Sequence, residues 1–225
     1  MSITITTDTT VGQLAAEHPL ATRVFARHGF DYCCGGGRPL GEVCHEKGLD
    51  TERVLEEIRT EVETSAVSDE RWDQAPLGAL IEHILVTYHR ALHEELPRLE
   101  SMARKVLDVH RDKDPERLAE LLTVYLGLRA ELEQHMAKEE QILFPLIEQG
   151  RGAMADGPIS VMRHEHDSAA TALRRLRELT NGYEVPPEAC NTWRALWHGL
   201  AALEESLHEH IHLENNILFP RALAS

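Results

Sequence analysis

The sequence predicts an all-α protein, a four-helix bundle preceded by a small helical domain. Three observations carry this. Aromatic residues make up only 5% of the chain while Leu, Ala and Glu abound, which favours helices over sheets. Four long amphipathic segments, roughly Leu77 to Leu107, Pro115 to Ile147, Ile159 to Leu179 and Pro187 to Leu218, are joined by stretches of turn composition (DKDPE, QGRGAMADGP, NGYEVPPE). Finally, two eleven-residue stretches repeat: HMAKEEQILFP from His135 and HIHLENNILFP from His210, at an offset of 75 residues.

In chain order, residues 1–66 read as a domain of four short helices: one up to Pro19, then Ala21 to His28, Leu40 to Lys47 and Thr51 to Ser65. The second and third flank the loop Gly29-Phe30-Asp31-Tyr32-Cys33-Cys34-Gly35-Gly36-Gly37. Neighbouring Cα atoms are about 3.8 Å apart, too close for a relaxed disulfide, so Cys33 and Cys34 are expected to stay thiols. Three glycines remove side-chain cover beside them. Adjacent thiols in an open loop suit thiolate chemistry: holding a soft metal or cluster, or exchanging with a partner's disulfide. Cys33 and Cys34 are therefore the candidate reactive residues, whereas Cys44 and Cys190 read as small apolar residues in helices. The polar stretch Thr64 to Pro76 marks a boundary, and residues 77–225 form the second domain.

The repeat carries the candidate metal ligands. Residues four apart on a helix lie on one face about 6 Å apart along the axis, so His135 with Glu139, and His210 with Glu214, each present a nitrogen and a carboxylate to one point. Both pairs sit on apolar seams: Leu121, Tyr125, Leu128, Leu132, His135, Glu139, Ile142, Leu146; and Leu196, Leu200, Leu203, Leu207, His210, Glu214, Ile217. A glutamate aimed into a core is costly unless paired or ligating. The other two long helices supply one histidine each. The seam Leu85, His89, Leu92, Leu96, Leu99 selects His89, and Met162, His166, Ala169, Leu173, Leu176 selects His166 over His164.

His89, His135, Glu139, His166, His210 and Glu214 suit two ions, each with two histidines, sharing both glutamates and an oxo or hydroxo bridge. Two non-haem irons fit this nitrogen and oxygen set best, with manganese as the other option. His93, Glu131, Glu165 and Asp167 lie near these ligands; Glu131 and Glu165 read first as exposed helix-face charges, with lining an access path, steering iron or shuttling protons as the other reading. His110, His208 and His212 receive no role.

A formal net charge of −15 argues against nucleic acid as a partner. No apolar run reaches the length of a membrane span, and the first ten residues lack the pattern of a signal peptide. A cytoplasmic protein is expected, and four cysteines, two of them adjacent, fit a reducing compartment.

The combination of DYCCGG with a bundle carrying HxxxEEQILFP and HxxLENNxLFP resembles, over essentially the whole chain, the Repair of Iron Centres family of hemerythrin-like di-iron proteins. The resemblance implies repair of iron-sulfur clusters damaged by nitric oxide or oxidants, with nitric oxide binding or reduction, and hence a nitric oxide reductase activity, at the di-iron centre. The six seam residues coincide with the family's ligand positions. The resemblance also implies a homodimer, damaged iron-sulfur proteins as partners, and nitric oxide or oxygen as small ligands. The competing reading is a hemerythrin-type oxygen carrier or sensor, which would need a fifth histidine, for which His93 is the candidate. Plain iron storage or donation is a third.

Overall fold

The computed structural model describes residues 5–64 and 71–225; side chains are described outside 63–70. The start of the chain and part of the predicted linker, 65–70, lie outside the described residues. The chain divides into two units, one made of Met1–Leu80 with His208–Ser225 and the other of Ile81–Leu207.

In the first unit, α1 (Val11–Glu17) starts at Thr10, whose hydroxyl accepts the Gln13 N–H. The next helix, α2 (Ala21–His28), ends at Gly29, in the left-handed region at φ 62°, which places its N–H on the carbonyls of Phe25 and Ala26. After α3 (Leu40–Glu46), Asp50 caps α4 (Thr51–Thr64) by accepting from the N–H groups of Glu52 and Arg53. Val11, Leu14, Val24, Phe25, Phe30, Tyr32, Leu40, Val43, Leu55 and Ile58 form one buried cluster. Each such side chain contributes roughly 1.5–3 kcal/mol by leaving water. The chain's last residues belong to the same unit. There Arg221 donates to the carbonyls of Trp72 (2.7 Å) and Ala75 (2.6 Å), and the Tyr32 ring meets that of His212 edge-on.

The helices of the second unit keep the predicted order. Helix α5 (Leu77–Ile84) continues through a π-helical turn (Leu85–His89) into α6 (Arg90–His110). Asp114 caps α7 (Pro115–Lys138), which runs through a second π turn (Glu139–Leu143) into α8 (Phe144–Glu148). A short 3-10 turn leads to α9 (Asp156–Leu179), which starts three residues before the predicted Ile159 and carries Pro158 in its first turn, where a missing N–H costs nothing. The last long helix, α10 (Asn191–His212), starts after the predicted Pro187, because Pro186 and Ala189 close a turn first. It runs into a third π turn (Leu213–Leu218) and α11 (Phe219–Leu223). Leu92, Leu96 and Leu99 of α6, Leu121, Tyr125 and Leu128 of α7, Leu173 and Leu176 of α9, and Trp193, Leu196, Trp197 and Leu200 of α10 share one core, a four-helix bundle. Within it the Tyr125 hydroxyl donates to the Leu96 carbonyl at 2.8 Å.

The π turns alter the predicted seam. In each, a backbone N–H reaches five residues back rather than four: Arg90 to Leu85, Phe144 to Glu139 and Phe219 to Glu214. The extra residue rotates the stretch of helix beyond it. Ile142 and Leu146, expected in the core, are exposed and half-buried, and Leu143, Phe144 and Ile147 take their place. Leu85 is likewise only half-buried, with Ile84 and Tyr88 inside. A π turn is weaker than the α-helix it interrupts and recurs at functional sites. Here every one holds or adjoins a predicted ligand.

Candidate metal centre

The second unit brings four of the six predicted ligands together. His135, Glu139 and His166 offer donor atoms within 4.8 Å of one another. The Nε2 atoms of His135 and His166 are 3.1 Å apart, close to the ~3.0 Å edge that two imidazoles make at right angles on one ion with bonds of about 2.1 Å. Glu139 Oε2 lies 3.4 Å from His135 Nε2 and 3.4 Å from His89 Nε2, between the two rings. Its side chain is fully buried, and neither carboxylate oxygen accepts a hydrogen bond. A carboxylate so placed is strongly penalised unless a cation meets it. The donor set therefore fits a metal.

Two carboxylates aim these imidazoles. Glu140 Oε1 is 2.8 Å from His89 Nδ1, and Glu165 Oε2 is 2.9 Å from His135 Nδ1. A proton held on Nδ1 leaves the Nε2 lone pair free to ligate, the usual outer arrangement at metal-bound histidines. Glu165 also pairs with Lys138. Burial opposes its ionisation, but the Lys138 ammonium and His135 outweigh that and hold the carboxyl below its ordinary range. Glu165 is thus no bystander on a helix face, whereas Glu131 is exposed. The side chain of His93 is 56% exposed, and its carboxylate neighbour, Glu140, is 3.7 Å away. It does not supply a fifth buried histidine.

His210 and Glu214, the other two predicted ligands, belong to the first unit. Both are buried, with His210 Nε2 2.9 Å from Glu214 Oε1. That unit also holds Cys33 and Cys34, free thiols whose sulfurs are 3.8 Å apart. Cys33 is buried, and Cys34 beside it, together with burial, pushes its thiol well above the ordinary range. The glycines after the pair answer to contacts more than to openness. A Cβ on Gly35 would come within 3.2 Å of the Asp31 carboxylate, and one on Gly36 within 2.6 Å of both Asn216 Oδ1 and the Tyr32 carbonyl; only Gly37 has open space.

At the start of α10 a feature emerges that spacing did not suggest. The exposed thiol of Cys190 lies 3.2 Å from Nε2 of buried His110. The His110 contact, aided by the N–H groups of Trp193 and Thr192, brings the thiol down to about 7. Eighty residues separate the two, so only the fold brings them together.

A buried histidine and glutamate set on a helical bundle defines a cation-binding protein of the hemerythrin class, and the hemerythrin HHE cation-binding domain matches residues 80–222. A second family model, a domain of unknown function designated ScdA_N, matches residues 7–61. The iron-sulfur cluster repair protein YtfE of Citrobacter koseri is 47% identical over 219 residues, covering 96% of this chain and 97% of the relative. YtfE proteins of Escherichia coli reach 47% and that of Shigella boydii 46% over the same length. The chain belongs to this YtfE family, the group that the DYCCGG and HxxxE motifs indicate.

Proposed function

We propose that this protein repairs iron-sulfur clusters damaged by nitrosative or oxidative stress, and that His89, His135, Glu139, His166, His210 and Glu214 together hold two non-haem irons for that purpose. Fully buried Glu139, whose carboxylate lies between two histidines and accepts no hydrogen bond, carries the metal reading. The identity to YtfE proteins over 96% of the chain, cysteine module included, carries the repair reading. Two arguments join His210 and Glu214 to the other four: the HHE domain matches 80–222 as one cation-binding unit, and the repeat equips each half alike. When bound, such an iron pair supplies redox chemistry toward nitric oxide, or iron for a damaged cluster.

The chain's own part is to fix and shield that pair. Glu140 and Glu165 hold His89 and His135 in one tautomer and orientation. Leu132, Met136, Leu143 and Met162 are buried close to the ligands in sequence and keep bulk water off them. Exposure of His93 disfavours the oxygen-carrier reading, which requires a further histidine. A cytoplasmic homodimer acting on client iron-sulfur proteins completes the proposal. Among the described residues no helix is long and apolar enough to cross a membrane.

The test is anaerobic. Iron-loaded protein is mixed with an iron-sulfur enzyme inactivated by nitric oxide, and recovery of that enzyme's activity is followed. Recovery with the natural protein and none with Glu139→Ala is expected. Equal recovery with both removes the centre from the mechanism, and a reversible oxygen adduct without recovery favours the carrier.

A further inference from the structure

We propose that Asp31, Cys33 and Cys34 form a second metal site, selective for a thiophilic divalent ion, with one coordination position left open to an incoming ligand. Their donor atoms lie within 4.8 Å of one another, and all three residues belong to one unit. The two edges of the triangle that meet at Cys33 match tetrahedral chelation, and the third is within 4.8 Å. With metal–sulfur bonds of about 2.3 Å, two thiolates on a tetrahedral ion sit about 3.8 Å apart. Cys33 Sγ and Cys34 Sγ are 3.8 Å apart. A carboxylate oxygen bonded at about 2.1 Å would sit about 3.6 Å from a thiolate on the same ion. Asp31 Oδ1 is 3.4 Å from Cys33 Sγ. The triangle is therefore set close to the dimensions an ion requires.

The loop is held in that shape by contacts that, apart from one to Asp31, fall on its backbone rather than on the donor atoms. Asn216 donates to the carbonyls of Tyr32 (3.1 Å) and Cys33 (3.2 Å), and Asn215 donates to the same Cys33 carbonyl (3.2 Å). The Gly12 N–H donates to the Gly36 carbonyl at 2.8 Å, and the Cys34 N–H to Asp31 Oδ1 at 2.9 Å. Gly35 leaves room for the Asp31 carboxylate, which a side chain there would crowd. Such preorganisation favours binding because little freedom remains to be lost.

Three protein donors and one vacant position are the pattern of exchange or catalysis, whereas structural sites close with four. Asp31 is exposed and Cys34 half-buried, so the vacant position is reachable from solvent. On binding, each thiol forms a metal–sulfur bond and releases its proton to water, Asp31 binds as the carboxylate it already is, and no electrons move. Two thiolates and a carboxylate around a dication leave a net charge of −1. An incoming thiol or sulfide, a soft sulfur donor like the two thiolates, is the natural fourth ligand. Zinc and ferrous ions share the required chemistry.

The experiment uses iron-loaded full-length protein, titrated without oxygen with Cd2+ and followed by the ultraviolet charge-transfer absorption of cadmium thiolates. Histidine and glutamate ligands give no such band, so the result stands or falls independently of the proposed iron pair. One equivalent of Cd2+ should saturate the band. Cys33→Ser with Cys34→Ser should abolish it and Asp31→Asn should weaken binding about tenfold, both with unchanged iron content; Cys190→Ala should leave it intact. If the double variant does not fold, Cys34→Ser alone, which should halve the band, replaces it. Protein incubated beforehand with excess Zn2+ should show a reduced band at low Cd2+, since both ions compete for the same thiolates. No band, a band that survives loss of both cysteines, a band lost with Cys190, or a band indifferent to prior Zn2+ would overturn the assignment.

Discussion

The two copies of the repeated motif have the same ending and different surroundings. After Glu139 come Glu140, Gln141 and Ile142; after Glu214 come Asn215, Asn216 and Ile217. In the first copy Glu140 turns to His89 and Ile142 is 52% exposed. In the second the asparagines donate to the cysteine loop and Ile217 is 3% exposed, because α1 packs on the turn Leu213–Leu218. The position of the candidate ligands, the π turn and the Phe-Pro after it are shared by the two copies. The residues just beyond each candidate ligand differ: in one copy Glu140 faces a histidine, and in the other Asn215 and Asn216 anchor a loop.

Six substitutions sharpen or break this contrast. Ile217→Ala should destabilise the metal-free protein by about 2–5 kcal/mol, while Ile142→Ala should stay within about 0.5 kcal/mol. Urea unfolding of both measures it, and equal losses would mean the copies are not differently covered. Glu140→Ala should weaken metal retention about 10–100-fold in a chelator competition by releasing His89, and Asn215→Ala should not. Gly12→Ala sets a methyl group against Asn216 Oδ1 and should cost about 1–3 kcal/mol, whereas Gln141→Ala, at the place in the first copy that matches Asn216, should be neutral to thermal melting.

The smallest effect lies at the other end of the same two helices. Asp114 caps α7 with a carboxylate, and Cys190 precedes α10 beside His110. Alkylation of Cys190 should rise with pH to a midpoint near 7, since the thiolate is the reacting form and the His110 contact favours it. His110→Ala should move the midpoint up toward that of an ordinary thiol. An unmoved midpoint would leave the helix N–H groups as the cause.

Helical seams are legible in the sequence up to the ligands because α-helical spacing holds there: Leu121 to Glu139 and Leu196 to Glu214 are buried at every predicted step. Legibility falters at the first two π turns, where Leu85, Ile142 and Leu146 leave the core, whereas Ile217 in the third is buried as predicted. Counting on by threes and fours from Glu139 selects Ile142, one residue short of Leu143, because no residue type marks a five-residue hydrogen bond. Glu140 and Glu165 are equally hidden: a carboxylate beside a seam has the same spacing whether it faces water or an imidazole. Cys190 and His110 lack any local signal. The glycines after Cys34 suggest openness by composition, yet they are contact points because Asn216 and Asp31 arrive from elsewhere.

The hydrogen bond from Asn215 to Cys33 closes a loop of 182 residues. During synthesis the cysteine module precedes its asparagines by 182 residues, so the loop waits for that length of chain before it is pinned. Residues 81–207 have only their own neighbours to find, and closure of the first unit must await the final helix. A chain cut before Asn215 should therefore expose its thiols to modification, because the contact that pins the cysteine loop is lost.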